Sequence, residues 1–78
     1  MTPTEIKVVD QIKAIFEAKG QPSPGVTEGS VLDGSLGLDS LDFAELAVRL
    51  EKEFGRDPFS QGDTPSVRVV AELAALYD

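Results

Sequence analysis

The sequence predicts an all-α protein, a small bundle of three main helices with at most one further short helical turn. Three segments carry apolar residues at the i, i+3, i+4, i+7 spacing of one helix face, and each begins at a residue type that caps helices well. The 78 residues suffice for one domain only, because a second would lack a core of its own. We therefore expect residues 1–78 to form a single domain around an aliphatic core.

Two signals mark the beginning of the first helix, which is predicted over residues 3–19. Thr2 and Glu5 have the spacing of a capping box, and Pro3 occupies the first helical position, where its missing N–H costs nothing. Gly20 follows as a residue able to adopt the left-handed conformation that ends helices. The predicted core face consists of Val8, Val9, Ile12, Ile15 and Phe16.

A long loop is predicted over residues 20–38, where four glycines and two prolines after Gly20 interrupt any regular pattern. Loops of this length in compact domains are usually functional or disordered. Apolar residues are spread along it, which favours a loop packed against the helices over a flexible linker. These residues are Val26, Val31, Leu32, Leu36 and Leu38.

The second helix is predicted over residues 39–54, with Asp39 or Ser40 as its N-cap and Gly55 as its stop signal. Helical periodicity gives it two apolar faces. The predicted core face consists of Phe43, Leu46, Ala47, Leu50 and Phe54. The opposite strip consists of Leu41, Ala44 and Val48, flanked by Asp42, Glu45, Glu51 and Lys52. Because the core face is already complete, packing within the domain gives no reason for this strip; scattered surface apolarity is the alternative.

The remaining segments are a connector and a third helix. Pro58 and Gly62 predict a connector over residues 55–64, with at most one short helical turn. Thr64 and Pro65 repeat the N-cap and the first-turn proline, so the last helix is predicted over residues 65–77. Its predicted core face consists of Val67, Val70, Leu73, Ala74 and Tyr77.

The composition excludes several classes of function. The chain has no Cys and no His, which removes disulfides, ordinary zinc sites and the catalytic groups of Ser-His and Cys-His enzymes. Seven basic and fourteen acidic residues give a net charge of −7, which argues against nucleic acid and anionic membranes as partners. Nine acidic and three basic residues lie between Glu28 and Asp63, so −6 of this charge lies mid-chain and favours a basic protein partner. Neither a membrane-spanning run nor a signal-peptide pattern occurs, so we expect a cytoplasmic protein.

Ser40 is the candidate for chemistry. A serine at a helix N-terminus lies beside unpaired N–H groups and the positive end of the helix dipole, where a phosphate is favoured. Gly37 lets the backbone turn closely just before it. With no His in the chain and no adjacent Lys to activate the hydroxyl, another protein must supply the base. The simpler alternative is that Ser40 only caps the helix.

Two other interpretations of this acidic segment fail. With Asp33 at position 1 of a calcium-binding EF-hand loop, Leu38 falls on the obligatory glycine and Ala44 on the glutamate. Paired carboxylates for glycoside hydrolysis would need a cleft, for which so small a domain has no room. The sequence therefore predicts neither a metal site nor catalytic residues, and the protein is not expected to be an enzyme.

The segment Gly37-Leu38-Asp39-Ser40-Leu41 resembles the attachment motif of acyl and peptidyl carrier proteins, a D-S-L core preceded by a glycine. The resemblance covers most of the chain: a capped helix, a long loop, the motif opening the second helix, a short connector and a last helix. It implies an acyl-carrier-like fold and 4′-phosphopantetheine attached covalently to Ser40 by a phosphopantetheinyl transferase. It further implies Asp39 and Leu41 as cofactor-site residues, and an arm whose terminal thiol holds acyl groups as thioesters.

The resemblance also implies how the carrier meets its partners. The second helix would dock through Leu41, Asp42, Ala44, Glu45, Val48 and Glu51. The implied partners are the transferase, an acyl-loading ligase or acyltransferase, and downstream biosynthetic enzymes with basic docking patches. A monomeric carrier would visit them in turn.

Two departures from the family pattern bear on the pathway. Lys52 stands where carriers of fatty acid synthesis usually have an acid, and the connector lacks their run of glutamates. They favour a carrier of a specialised polyketide, nonribosomal peptide or related pathway over a housekeeping carrier of fatty acid synthesis. The chain's beginning at Met1 and its last helix ending at Asp78 favour a discrete protein. The alternative of another class is an acidic helical interaction domain in which Ser40 is only an N-cap or a phosphorylation site.

Overall fold

The computed structural model describes residues 1–58 and 67–78. Within these ranges the chain forms three α-helices, one short 3₁₀ turn and no strand, which confirms the all-α prediction. The helices are α1, Pro3–Ala18; α2, Ser40–Phe54; and α3, Val70–Ala75, with the 3₁₀ turn at Gly34–Leu36 between the first two. No helix in this part of the chain is long and apolar enough to cross a membrane.

The beginning of α1 has the predicted capping box. The N–H of Glu5 donates to Thr2 Oγ1 at 3.1 Å, and the N–H of Thr2 donates to Glu5 Oε1 at 2.8 Å. The helix ends one residue before the predicted end, with Lys19 as its C-cap and Gly20 in the left-handed region at φ 72°. All five predicted core residues of α1 are buried: Val8, Val9, Ile12, Ile15 and Phe16.

The rotational orientation of α2 also agrees with its predicted faces. Leu46 and Leu50 are buried, while Phe43 and Phe54 are partly buried and pack against the same core. α1 packs against both α2 and α3. The long loop lies on this core through buried Val26 and Leu38 and partly buried Leu32 and Leu36, while Val31 is exposed.

The last helix is shorter than predicted. Its predicted beginning at residue 65 is wrong, because residues 67–69 precede the helix and Val69 is extended, with φ −129° and ψ 164°. The long loop pairs with this segment: the N–H of Leu32 donates to the Arg68 carbonyl at 2.8 Å and that of Val70 to the Ser30 carbonyl at 3.1 Å. An antiparallel bridge joins Val31 to Val69.

Side chains reinforce the late start of α3. Val67 and Val69 are β-branched, which favours an extended backbone. Glu72 Oε1 accepts the N–H groups of both Arg68 and Val69, which begins the helix at Val70. Four of the five predicted core residues, Val70, Leu73, Ala74 and Tyr77, are buried, and Val67 is partly buried against the core. The predicted cap at Thr64 and Pro65 and most of the connector, with its possible helical turn, lie outside the described residues.

Candidate functional site

Asp39, not Ser40, caps α2. The N–H of Asp42 donates to Asp39 Oδ1 at 2.9 Å, and the N–H of Asp39 donates to Asp42 Oδ2 at 3.1 Å, which completes a reciprocal capping box. Ser40 is the first residue of the helix. The hypothesis that Ser40 serves as the N-cap is therefore wrong, because the adjacent carboxylate already fills that role.

The Ser40 hydroxyl has no structural role among the described residues. The residue is exposed, and its Oγ makes no hydrogen bond with any residue that the structure describes. The N–H groups of Ser40 and Leu41 likewise have no acceptor within residues 1–58 and 67–78. Free N–H groups at a helix N-terminus favour an anion, so these residues fit a phosphate ester on the Ser40 oxygen.

Gly37 allows the segment before Ser40 to lie directly on α1. Its φ of 104° is in the left-handed region that disfavours other residues. A Cβ at this position would lie 3.2 Å from Cε1 and 3.3 Å from Cζ of Phe16. The backbone angle therefore favours glycine, the space beside the Phe16 ring is tight for any other residue, and the loop ends in close contact with α1.

Lys19 joins α1 to this segment. Its Nζ donates to Asp42 Oδ2 at 2.7 Å and to the Gly37 carbonyl oxygen at 3.2 Å, and it lies 5.3 Å from the Phe16 ring centroid. The hydrogen bond from the ammonium, together with that from the Asp39 N–H, holds the pKa of Asp42 below its ordinary value. Asp42 thus has a structural role, as helix cap and ion-pair partner, that the sequence did not predict.

The predicted docking strip lies together on the outer face of α2. Leu41 is 79% exposed and Val48 49% exposed, and Ala44 lies exposed between them. Leu41 and Val48 are separated by two helical turns, or about 10 Å along the axis. Of the flanking acids, Glu51 is exposed, while exposed Glu45 accepts a hydrogen bond from Arg49 Nε at 3.1 Å. An exposed, partly apolar and acidic face therefore extends from Ser40 along α2.

A family model described as the phosphopantetheine attachment site matches residues 10–61, two thirds of the chain. The chain belongs to this family. The resemblance to acyl and peptidyl carrier proteins is thereby confirmed. Members of the phosphopantetheine-binding family carry covalently attached 4′-phosphopantetheine. The matched range contains the end of α1, the long loop and all of α2. A search of the solved structures found no match.

The capping geometry makes a prediction about stability. Asp39→Ala should lower the free energy of unfolding by about 1 kcal/mol, since it removes the side chain that accepts the Asp42 N–H. Ser40→Ala should change it by less than about 0.5 kcal/mol, because the hydroxyl bonds no described residue. Urea unfolding of the two variants compares them directly. Equal losses, or a larger loss for Ser40→Ala, would show that the serine takes part in the cap.

Proposed function

We propose that this protein is an acyl or peptidyl carrier whose 4′-phosphopantetheine is attached to Ser40 Oγ. The observation that supports this most strongly is an exposed hydroxyl, unbonded to any described residue, at the first position of α2 within the range of the family match. Ser40 Oγ would form a new bond to the phosphorus atom as the P–O bond to the adenosine bisphosphate part of coenzyme A breaks. The transferase would supply the base that takes the hydroxyl proton, since the chain has no His.

The other residues of the site follow from this attachment. The chain has no cysteine, so the thiol that holds acyl groups as thioesters would come from the arm alone. We propose that Asp39 and Leu41, exposed on either side of Ser40, contact the transferase. The same face would meet the loading ligase or acyltransferase and the downstream enzymes through Leu41, Ala44, Glu45, Val48 and Glu51. Asp42, held by Lys19, would border this face with most of its carboxylate covered.

A specialised polyketide, nonribosomal peptide or related pathway is proposed from the chemistry of α2. Lys52 is exposed beside Glu51 near the end of the helix, so the docking face carries a positive charge among its acids. Lys52 would repel a partner enzyme whose docking patch carries only cations. It would therefore favour partners whose patch also carries a negative or neutral group at this position. The housekeeping carrier of fatty acid synthesis is the alternative within the family.

Charge reversal on α2 tests the docking face. Glu51→Lys should reduce the association rate with the transferase severalfold at low salt, because a basic patch would lose an attractive charge and meet a repulsive one. The effect should shrink at physiological ionic strength, where the Debye length is about 8 Å. Stopped-flow binding measures both rates, and the dissociation rate should change less.

Asp10→Lys is the matched control, because it makes the same charge change at an exposed position of α1. It should alter the association rate less than Glu51→Lys does. Equal reductions in the two variants would mean that only net charge matters, and the proposed docking face would be wrong.

The proposed function itself is tested by intact mass. The folded wild-type protein is incubated with coenzyme A, Mg²⁺ and a broad-specificity phosphopantetheinyl transferase, with omission of the transferase as the control. The carrier should gain the mass of one phosphopantetheine only when the transferase is present. No gain on folded protein would favour the acidic helical interaction domain.

A further inference from the structure

We infer that Lys19 is a positioning residue for Ser40: its ammonium group ties both flanks of the serine to the end of α1 and so presents the hydroxyl to the transferase. This inference rests on the proposed attachment at Ser40.

Lys19 contacts residues on both sides of Ser40 in the chain. Its Nζ bonds the Gly37 carbonyl three residues before Ser40, at 3.2 Å, and Asp42 Oδ2 two residues after it, at 2.7 Å. The same Asp42 oxygen accepts the N–H of Asp39 at 3.1 Å. The ammonium is therefore bonded directly to the capping box that begins α2. A shift of residues 37–42 along α1 would strain the two bonds that the ammonium makes to Gly37 and Asp42.

The surroundings of the Lys19–Asp42 ion pair support its role as a restraint. The Lys19 and Asp42 side chains are 27% and 13% exposed. Each is less exposed than its counterpart in the ion pairs Lys7–Glu53 and Arg49–Glu45. The ammonium also lies near the ring of buried Phe16, the ring on which Gly37 packs. Partly covered ion pairs are screened less by salt and solvent than fully exposed ones.

Docking electrostatics alone do not explain a cation here. The carrier is acidic and its proposed partners are basic, so removal of a positive charge beside the site should strengthen encounter. A positioning role predicts the opposite for the rate of modification, because a misplaced reacting atom slows the chemical step. The two roles therefore give changes of opposite sign.

The test compares Lys19→Met with Lys13→Met in transferase kinetics. Lys13 is an exposed cation of the same helix with no ion pair or hydrogen bond to a described residue, so its loss reproduces the charge change alone. Lys19→Met should lower kcat about tenfold without raising KM, whereas Lys13→Met should leave kcat unchanged. Lys19→Arg, which keeps a cationic donor, should recover most of kcat. Equal kcat values for the two methionine variants would overturn the inference.

Amide hydrogen exchange gives a readout that needs no modification. In Lys19→Met the amides of Asp39 and Asp42, which bond each other's carboxylates in the capping box, should exchange faster than in Lys13→Met. Those of Leu46 and Leu50 should keep their protection. Faster exchange at the core amides as well would show a merely structural role, and unchanged exchange at Asp39 and Asp42 would show that Lys19 restrains nothing; either result overturns the inference. If the wild-type protein takes no phosphopantetheine, the proposed function fails, and exchange still decides whether Lys19 holds the segment.

Discussion

Leu46→Asp is expected to unfold the protein. Leu46 is 2% exposed and belongs to the core that α1, α2 and α3 share. A carboxylate placed there would be buried without a partner, and the packing of the leucine side chain would be lost, which together cost several kcal/mol. By the usual stability per residue, a domain of this size has only about 4–12 kcal/mol to lose. Thermal unfolding followed by circular dichroism should show no cooperative transition, or one at a much lower temperature.

Val48→Asp is the matched control two residues along the same helix. Val48 is 49% exposed on the outer face, so the same new charge should remain hydrated and change stability by about 0.5 kcal/mol or less. If this face docks partners, Val48→Asp should weaken productive binding to the transferase by more than about 1 kcal/mol. Similar melting losses in the two variants would contradict the faces assigned to α2. A folded Val48→Asp variant with normal transferase kinetics would contradict the docking role.

Ser40→Ala should abolish modification while the fold persists. The variant should melt close to the wild-type temperature, because Asp39 supplies the cap. It should gain no mass with coenzyme A and the transferase, because no other described serine opens an α-helix. Ser35 is the closest alternative, but it lies in the 3₁₀ turn and its hydroxyl donates to Asp33. Ser35→Ala should therefore be modified at the wild-type rate, and modification that persisted in Ser40→Ala would end the assignment.

Local signals in the sequence account for what could be predicted. The beginning of α1 depends on Thr2, Pro3 and Glu5, which are neighbours in the chain, and the faces of α1 and α2 follow from helical periodicity. The choice between Asp39 and Ser40 as the cap stayed open because both residue types cap helices well. Asp42 determines that Asp39 is the cap. It lies three residues after Asp39, which is the spacing of a capping box, and its carboxylate accepts the Asp39 N–H.

Contacts between distant segments account for what could not be predicted. The late start of α3 depends on the backbone hydrogen bond between Leu32 and Arg68, which no local sequence pattern predicts. Lys19 and Asp42 are likewise far apart in the chain, and a lysine before a glycine indicates only a helix end. The position of Ser40 at the beginning of α2 was predictable from the local motif, whereas the contacts of Lys19 with Gly37 and Asp42 depend on the tertiary structure.

The central claim, attachment at Ser40, is tested most directly by fragmentation mass spectrometry of the modified wild-type protein. After incubation with coenzyme A, Mg²⁺ and the transferase, the protein is digested and the peptide that contains both Ser35 and Ser40 is fragmented. The phosphopantetheine mass should appear only on fragments that include Ser40. Its appearance on Ser35 or on another serine, or its absence from every peptide of the folded protein, would contradict the account.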